Sequence, residues 1–239
     1  MKYCLSILVL LFVSISSGSA QVKGRVDAGY VDLQMNLLES GKTINKLWMG
    51  GGRVDSTIVP FEGYGVALKT STTAVTGDGD MFNNSLGLGH YTPINDRWTL
   101  VPAAGWTYTH LSSMHDIPSV GLYNIREKIR SNSVYIGTDI IFKINEEWYL
   151  TGVVQYAWAR STTFLGTKGR SSIFAPNFII PFNQNVNGSS SGLSGAAIVD
   201  YYFREDWSFN VAFGYNSTLS EERHGLRVLG WKAGMSYTF

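Results

Sequence analysis

The most regular feature of the sequence is an alternation of apolar and polar residues that runs from about residue 81 to residue 239. After Trp207, for example, every second residue from Phe209 to Tyr215 is apolar, and Ser208 and Asn210 lie beside them. Successive side chains of a β-strand point to opposite faces, so this period indicates strands with one apolar face. The alternation predicts strands at 81–93, 98–111, 131–143, 148–160, 192–203, 207–217 and 226–239.

A short motif recurs between these strands. In each copy an apolar residue is followed by three polar or charged residues and then by Trp98, Trp148 or Trp207. Polar clusters between alternating segments are typical of hairpin turns. We therefore expect these three turns at one end of the sheet and longer loops, at 112–130 and 161–191, at the other end.

The alternating segments are long, and their aromatic residues recur at fixed depths. The strands reach about ten residues or more, whereas a usual strand has about five or six and a membrane strand about 9–11. Two aromatic positions eight residues apart differ in height by roughly 20 Å, at about 3.3 Å per residue and a tilt near 40°. This rise is close to the apolar band, about 25 Å tall, of a transmembrane barrel. The predicted interfacial aromatic residues are Trp98, Trp106, Trp148, Tyr156, Trp207 and Tyr215.

The final strand carries a pattern that is typical of a known class. Apolar residues occupy alternate positions back from the last residue, among them Trp231, Met235, Tyr237 and Phe239. This resembles the closing strand of bacterial outer-membrane β-barrels, whose terminal Phe and alternating apolar residues are read by the barrel-assembly machinery. The resemblance implies an all-β fold, an antiparallel up-and-down transmembrane β-barrel, in the cell outer membrane of a Gram-negative bacterium. It also implies outer-membrane lipid, lipopolysaccharide and the barrel-assembly machinery as partners.

The number of strands depends on residues 21–80, where the alternation is weak. A closed barrel of this class has an even number of strands, so this stretch must add an odd number to the seven. One strand gives eight, and three strands, with 43–53 as the weakest, give ten. Ten is favoured because eight would leave a loop of about 45 residues, far above the usual length. A helix or plug inserted near residues 33–56 is an alternative.

The first twenty residues have the features of a secretory signal peptide. Lys2 precedes an apolar segment from Leu5 to Val13, and a run of small residues ends at Ala20. The apolar segment is shorter than the roughly 20 residues that a spanning helix needs. We expect residues 1–20 to be removed and residues 21–239 to form one barrel domain. Cys4 is the single Cys of the sequence, so the exported domain would have no disulfide.

Composition and charge narrow the range of functions. Charged residues make up 15% of the chain, against about 25% in soluble proteins, and this low share agrees with a surface that faces lipid. The 19 basic and 18 acidic residues are balanced, which argues against a nucleic-acid partner. No spacing typical of a metal site, a phosphate loop or a nucleotide fingerprint occurs, so we expect no metal and no cofactor.

Charged residues on the polar face of the strands predict a network inside the barrel. An unpaired charge is costly in a narrow interior, so these residues should pair and plug the lumen. The alternative is a narrow path for small solutes, since ten strands leave little more than a thin channel. The predicted members of the network are Asp139, Lys143, Asp200, Arg204 and Lys232.

One group of residues is a candidate for catalysis. His110 and Ser112 share the lipid-facing side of a strand because they are two residues apart, and a His beside a Ser can activate the hydroxyl for attack on an ester. The His-x-Ser pattern is similar to that of outer-membrane lipid A deacylases. The resemblance implies Ser112 as nucleophile, His110 as base and Glu127, on the adjacent strand, as supporting acid. The chain departs from that pattern at Ser113, where the family usually has Asn, and in the basic neighbours of Glu127.

The predicted external loops suggest contacts outside the membrane. Arg126, Lys128 and Arg130 in loop 112–130 could meet the phosphates of lipopolysaccharide. The apolar segment 173–182 is costly in water unless it folds into the barrel mouth or meets an external partner. We therefore expect a non-enzymatic barrel with a plugged polar lumen and a structural or surface-interaction, adhesin-like role. A narrow small-solute pore and a lipid A esterase are the alternatives.

Overall fold

A computed structural model describes residues 23–59, 65–117, 122–167 and 182–239. The regular structure in these ranges consists of β-strands. In chain order the strands are β1 (Lys23–Glu39), β2 (Lys42–Val59), β3 (Val66–Gly77), β4 (Gly79–His90), β5 (Thr92–Pro93), β6 (Trp98–Ile117), β7 (Leu122–Lys143), β8 (Trp148–Thr167), β9 (Phe182–Tyr202), β10 (Trp207–Leu219) and β11 (Gly225–Thr238).

The strands form one antiparallel sheet that closes on itself. Residues 25–38 of β1 pair with residues 225–238 of β11, and residues 79–89 of β4 pair with residues 103–113 of β6. The two-residue β5 follows β4 along the same neighbour, β6. The wall therefore has ten strands, and the predicted up-and-down barrel is confirmed with ten strands rather than eight.

The weakly patterned residues 21–80 contribute three of these strands. Segment 43–53 lies within β2, so the alternative of a helix or plug near 33–56 is wrong. The alternation is weak here because Met35, Leu47 and Met49 are buried inside the barrel. Both faces of these strands are therefore partly apolar, and the period of two is hidden.

The connection between β1 and β2 is a two-residue turn. Ser40 and Gly41 both have positive φ angles, of 49° and 79°. Two successive residues of this kind are typical of a type I′ turn, whose twist matches that of the flanking strands.

The two predicted external loops are largely strand. β6 and β7 continue to residues 117 and 122, and β8 and β9 continue to residues 167 and 182. The predicted loops 112–130 and 161–191 are therefore wrong in extent. The apolar alternation stops here, but the ladder of backbone hydrogen bonds needs no apolar face and continues beyond it. The apolar segment 173–182 lies outside the described residues apart from the first residue of β9.

The three copies of the turn motif lie at one end of the barrel together with residues 24 and 239, whose backbones pair. This end is called the turn rim, and the opposite end, where β6 leads to β7, the loop rim. Asn95 accepts hydrogen bonds from the backbone N–H groups of Arg97 and Trp98, both at 2.9 Å. Asn145 makes the same pair of bonds in the second turn. These Asx turns explain why the motif tightens the chain at this rim.

In the half of the barrel nearer the turn rim, most apolar side chains face outward and most polar side chains face inward. On β10, Phe209 and Phe213 are 49% and 63% exposed, whereas Ser208 and Asn210 are 0% and 2% exposed. This is the reverse of a soluble protein and suits a wall that contacts lipid. Among the described residues, no helix is long and apolar enough to cross a membrane.

Tyr135 of β7 occupies space inside the barrel that two glycines leave open. A Cβ atom at Gly105 of β6 would lie 2.6 Å from both the Cζ and the Oη atoms of Tyr135, and one at Gly87 of β4 would also contact Oη. Tyr135 is buried. The two glycines therefore allow an aromatic ring to pack against the inner wall across two neighbouring strands.

We expect Gly105→Ala to destabilise the barrel by about 1–3 kcal/mol, because the added methyl group would clash with the Tyr135 ring and with the backbone carbonyl oxygen of Leu86. Gly152→Ala is the matched control, since a Cβ atom at Gly152 would meet no atom within 4 Å. Urea unfolding of both variants in lipid vesicles, followed by Trp fluorescence, measures the difference. Equal stabilities would contradict the proposed packing of Tyr135.

Candidate functional site

Among the described residues, eight charged side chains lie inside the barrel, in the half nearer the turn rim. Four are cations and four are carboxylates, and each cation has a carboxylate oxygen within 4.0 Å. The group is called the lumen network, and its formal charge is zero. Its members are Arg25, Asp27, Arg53, Asp55, Lys69, Asp139, Asp200 and Lys232.

Lys232 lies between two carboxylates that would otherwise repel each other. Asp27 of β1 and Asp55 of β2 are directly opposite in the strand register. The Lys232 ammonium forms an ion pair with Asp27, and its Nζ atom lies 2.8 Å from Oδ2 of Asp55. Arg53 adds a second cation, and its Nε atom donates to Asp55 at 2.9 Å. Two cations thus balance two neighbouring carboxylates.

Neutral side chains satisfy the remaining positions around Asp27. The Asn210 amide donates to Oδ2 of Asp27 at 2.6 Å, and the Ser236 hydroxyl donates to the same oxygen at 2.9 Å. Arg25 donates to the Ser236 hydroxyl at 2.7 Å and forms an ion pair with Asp200. These hydrogen bonds connect Asp27 of β1 to side chains of β10 and β11, which restricts the arrangement of the network.

Two ion pairs of the lumen network cross the lumen instead of following the wall. Arg25 on β1 pairs with Asp200 on β9, which is three strands away through β11 and β10. Lys69 on β3 pairs with Asp139 on β7, which is three strands away through β4 and β6. Side chains from strands that are not neighbours in the wall therefore meet inside the barrel.

Three of the five charged residues that the sequence predicts for the lumen lie in this network. These are Asp139, Asp200 and Lys232. The structure does not bring Lys143 and Arg204 to them, because both belong to the turn rim. Lys143 donates to Glu146 at 2.6 Å in the second turn, where Glu146 is exposed, and Arg204 is an exposed residue of the third turn.

Sequence reasoning missed the five members that come from the weakly patterned N-terminal region. A signal was present, because the tetrapeptide Gly-Arg-Val-Asp occurs twice, at 24–27 and 52–55. In both copies the Arg and the Asp point inward and belong to the lumen network. The alternation of charge, Val and charge is the pattern of a strand whose polar face is charged.

The half of the lumen nearer the loop rim is partly apolar. A buried cluster packs there against the inner wall. A lumen cavity of about 1520 Å³ is lined by several residues of this cluster and by the eight members of the lumen network. The sequence predicts a polar lumen throughout, so this cluster is a second feature that it did not reveal. The cluster consists of Val31, Met35, Leu37, Leu47, Met49, Val75, Leu111 and Ile129.

The three candidate catalytic residues are not brought together. Leu111 and Ser113 are buried inside the barrel, so His110 and Ser112, which alternate with them on β6, face outward. Glu127 is directly opposite Ser113 in the register and lines the lumen cavity. The wall of the barrel therefore separates the carboxylate of Glu127 from the His110 and Ser112 side chains.

The six aromatic residues predicted to be interfacial lie on the outer face at two levels. Near the turn rim, the ring centroids of Trp98 and Phe142 are 4.5 Å apart and those of Trp148 and Tyr201 are 4.8 Å apart. Their interfacial role stays a prediction. The other members of the set are Trp207, Trp106, Tyr156 and Tyr215, and the residues of the predicted assembly signal, Trp231, Met235, Tyr237 and Phe239, also face outward.

The chain is similar to solved outer-membrane barrels. It matches the outer membrane protease OmpT from Escherichia coli with a TM-score of 0.55 and 13% identity, covering 94% of this chain and 99% of that chain. It also matches Ail, the attachment invasion locus protein of Yersinia pestis, with a TM-score of 0.42 and 13% identity, covering 91% of this chain and 98% of that chain. The translocator domain of the autotransporter NalP from Neisseria meningitidis matches with a TM-score of 0.45 and 12% identity, covering 100% of this chain and 96% of that chain.

These comparisons concern the fold. The chain has the fold of the bacterial outer-membrane β-barrels, as the closing strand predicts. No protein-family model matches the sequence, and no curated protein matches it significantly. Because one fold hosts many activities, a function has to be argued from the residues of this barrel.

We expect Lys232→Met to destabilise the barrel by about 3–5 kcal/mol, because it leaves Asp27 and Asp55 opposite each other without their shared cation. Lys143→Met is the matched control, and it should leave the free energy of unfolding nearly unchanged, since the ion pair of Lys143 with Glu146 is exposed to water. Urea unfolding in lipid vesicles compares the two variants. A similar effect of both substitutions would show that the lumen network contributes no more than a surface pair.

Proposed function

We propose that the protein is an outer-membrane β-barrel that is closed to solutes and acts through its surface, in a structural or adhesin-like role. The outward apolar face and the fold shared with OmpT support the membrane location. The turn rim would face the periplasm and the loop rim the exterior, because such barrels have short turns and their termini on the periplasmic side.

The lumen network is the observation that carries the closed state. Its two crossing ion pairs, Arg25–Asp200 and Lys69–Asp139, each join strands three positions apart in the ten-stranded wall, near the turn rim. A solute passing through would have to separate charges that are largely removed from water, which is costly when no partner replaces them. The lumen cavity, which all eight members of the network help to line, would then be interrupted where these ion pairs meet.

The shape of the loop rim supports an interaction at the surface. β6 to β9 have 20 to 22 residues each, whereas β10 has 13 and β11 has 14. The pairing of β4 with β6 ends at Ser113, and that of β9 with β10 ends at Ser191. Four strands therefore extend beyond their neighbours as a projecting part of the wall, which is available for contacts outside the membrane.

Planar-bilayer recording tests the closed state. The wild-type protein should give no reproducible unitary conductance, and the variant Arg25→Ala with Lys69→Ala should give one, because it removes both crossing pairs. Lys143→Ala, which changes an exposed ion pair of the turn rim, is the control and should stay silent. Unitary conductance of the wild-type protein would overturn the proposal in favour of a narrow pore.

Cysteine labelling in intact cells tests the orientation. Met114→Cys, near the loop-rim end of β6 and 66% exposed in the wild type, should react with a membrane-impermeant maleimide. Asp96→Cys, in a turn, should react only after the outer membrane is permeabilised. The wild-type chain, whose single Cys is Cys4, measures the background. Labelling of Asp96→Cys alone in intact cells would show that the barrel has the opposite orientation.

The esterase alternative has no support in the geometry. A hydrolase of this type needs the nucleophile, base and acid within hydrogen-bond reach of one another, and Glu127 lies on the other side of the wall from Ser112. Ser112→Ala should therefore leave the acylation pattern of lipid A unchanged, as measured by mass spectrometry of lipid A from cells with either form. A pattern that differs between the two would restore the esterase reading.

A further inference from the structure

A group of basic and polar side chains lies on the outer face of β6 to β9, just above an aromatic level. The strand register aligns Trp106 with Val134 and Val134 with Trp158, so these three form a row around the outside. Trp106 and Trp158 are 41% and 47% exposed. Aromatic rows of this kind lie where the apolar part of the membrane meets the head groups.

The next rows toward the loop rim contain cations. One row beyond Trp158 lies Arg160, opposite Asn132, and one row further lies Arg130, opposite Thr162. Each row is about 7 Å from the last, since two residues of a strand span this distance. A third row contains Lys128. We call this surface the basic patch. It consists of Arg130, Arg160 and Lys128 together with the polar residues Asn132 and Thr162 in the same rows.

The side chains of the basic patch point away from the lumen. Ser131, Ala159 and Ser161, which flank Arg130 and Arg160 in the sequence, line the lumen cavity, so the two arginines have the opposite orientation. Both are exposed. A separate groove of about 740 Å³ follows this surface and is lined by Tyr108, Arg130, Asn132, Arg160, Ser161, Thr162, Asn187, Gly188 and Ser189.

The cations of the basic patch differ from those of the lumen in their partners. Inside the barrel, each of the four cations of the lumen network has a carboxylate. Among the described side chains, no carboxylate lies within 4.0 Å of Arg130, Arg160 or Lys128. Three cations thus share one surface without an acidic neighbour from the described part of the chain.

We propose that the basic patch binds the phosphate groups of lipid A, the membrane anchor of lipopolysaccharide. The inference rests on the proposed placement in the outer membrane, which sets the patch at head-group height on the external side. Two guanidinium groups in adjacent rows can each bind a phosphate through paired N–H donors. The Thr162 hydroxyl donates to the Asn187 amide oxygen at 2.8 Å, and this bond connects β8 and β9 within the lining of the groove.

The position beside the aromatic row favours a lipid over a soluble anion. The acyl chains of the lipid would contact the exposed rings of Trp106 and Trp158, while its phosphate meets Arg160 and then Arg130. A soluble phosphate would contact the two arginines but not the aromatic rings. The protein would in this way hold a lipopolysaccharide molecule against the outer face of β6 to β9, the strands that project beyond their neighbours.

Binding of purified lipid A to the full barrel in detergent micelles tests the proposal by native mass spectrometry. The variant Arg130→Gln with Arg160→Gln should bind lipid A about tenfold or more weakly, which corresponds to about 1.4 kcal/mol or more. The control Arg97→Gln with Arg204→Gln removes two exposed arginines from the turn rim and should bind as the wild type does. A mobility shift on boiling in a denaturing gel verifies that each variant is folded.

Three further ligands distinguish the sources of the phosphate. Lipid A that has been dephosphorylated should lose binding to the wild type, whereas phosphatidylglycerol and inorganic phosphate should bind at least about tenfold more weakly than lipid A. Wild-type binding by the double variant, or undiminished binding of dephosphorylated lipid A, would overturn the proposal. Equal binding of phosphatidylglycerol would overturn the assignment to lipid A. Because this assay uses micelles, its outcome is independent of the conductance and labelling results that test the proposed function.

Discussion

The pairing of β1 with β11 is the constraint on which the rest of the barrel depends. It gives both end strands of the sheet a neighbour, so backbone N–H and C=O groups along 25–38 and 225–238 are satisfied without water, as a wall in lipid requires. Closure also makes the interior narrow, and side chains from distant strands meet there. Asp27 and Asp55 become opposite each other through strand pairing, and Lys232 arrives between them because β11 closes the sheet.

The charged side chains of the lumen network, on the inner face of the wall, are paired, whereas the cations of the basic patch on the outer face are not paired with a described carboxylate. Inside, desolvation makes an isolated charge costly, and the eight side chains of the lumen network are arranged in pairs with zero net charge. Outside and above the aromatic row, water and lipid head groups are available, and Arg130 and Arg160 have no described carboxylate beside them. The contrast indicates that the inner charges hold the barrel together, while the outer charges are available to a ligand.

The parts of the fold that the sequence predicted are those where the two faces differ sharply. Phe209 and Phe213 meet lipid while Ser208 and Asn210 face the lumen, so the period of two is plain along β10. The first three strands were hard to recognise because Met35, Leu47 and Met49 are apolar residues of the inner face. The sequence predicts loops for the upper parts of β6 to β9 because their outer face is no longer apolar, although the backbone ladder continues there.

The candidate sites also differ in how much of them the sequence predicts. Asp139, Asp200 and Lys232 could be assigned to the interior from strand parity, but their partners Lys69, Arg25 and Asp27 lie far away in the chain, and no local pattern links them. Glu127 and Ser112 point to opposite faces of the wall. This follows from the register, which sets Glu127 opposite Ser113 and not opposite Ser112. A one-residue difference in register moves a side chain to the other side of the wall, and this is decided by how two strands pair.

By itself the sequence determined that this chain forms an antiparallel barrel with an apolar outer face, because that property depends on residues two apart and on short turns. The tertiary structure decided which charges meet in the lumen and which cations share a row on the outside. Those contacts join residues separated by many positions in the chain, and their geometry follows from the closure and register of the whole sheet.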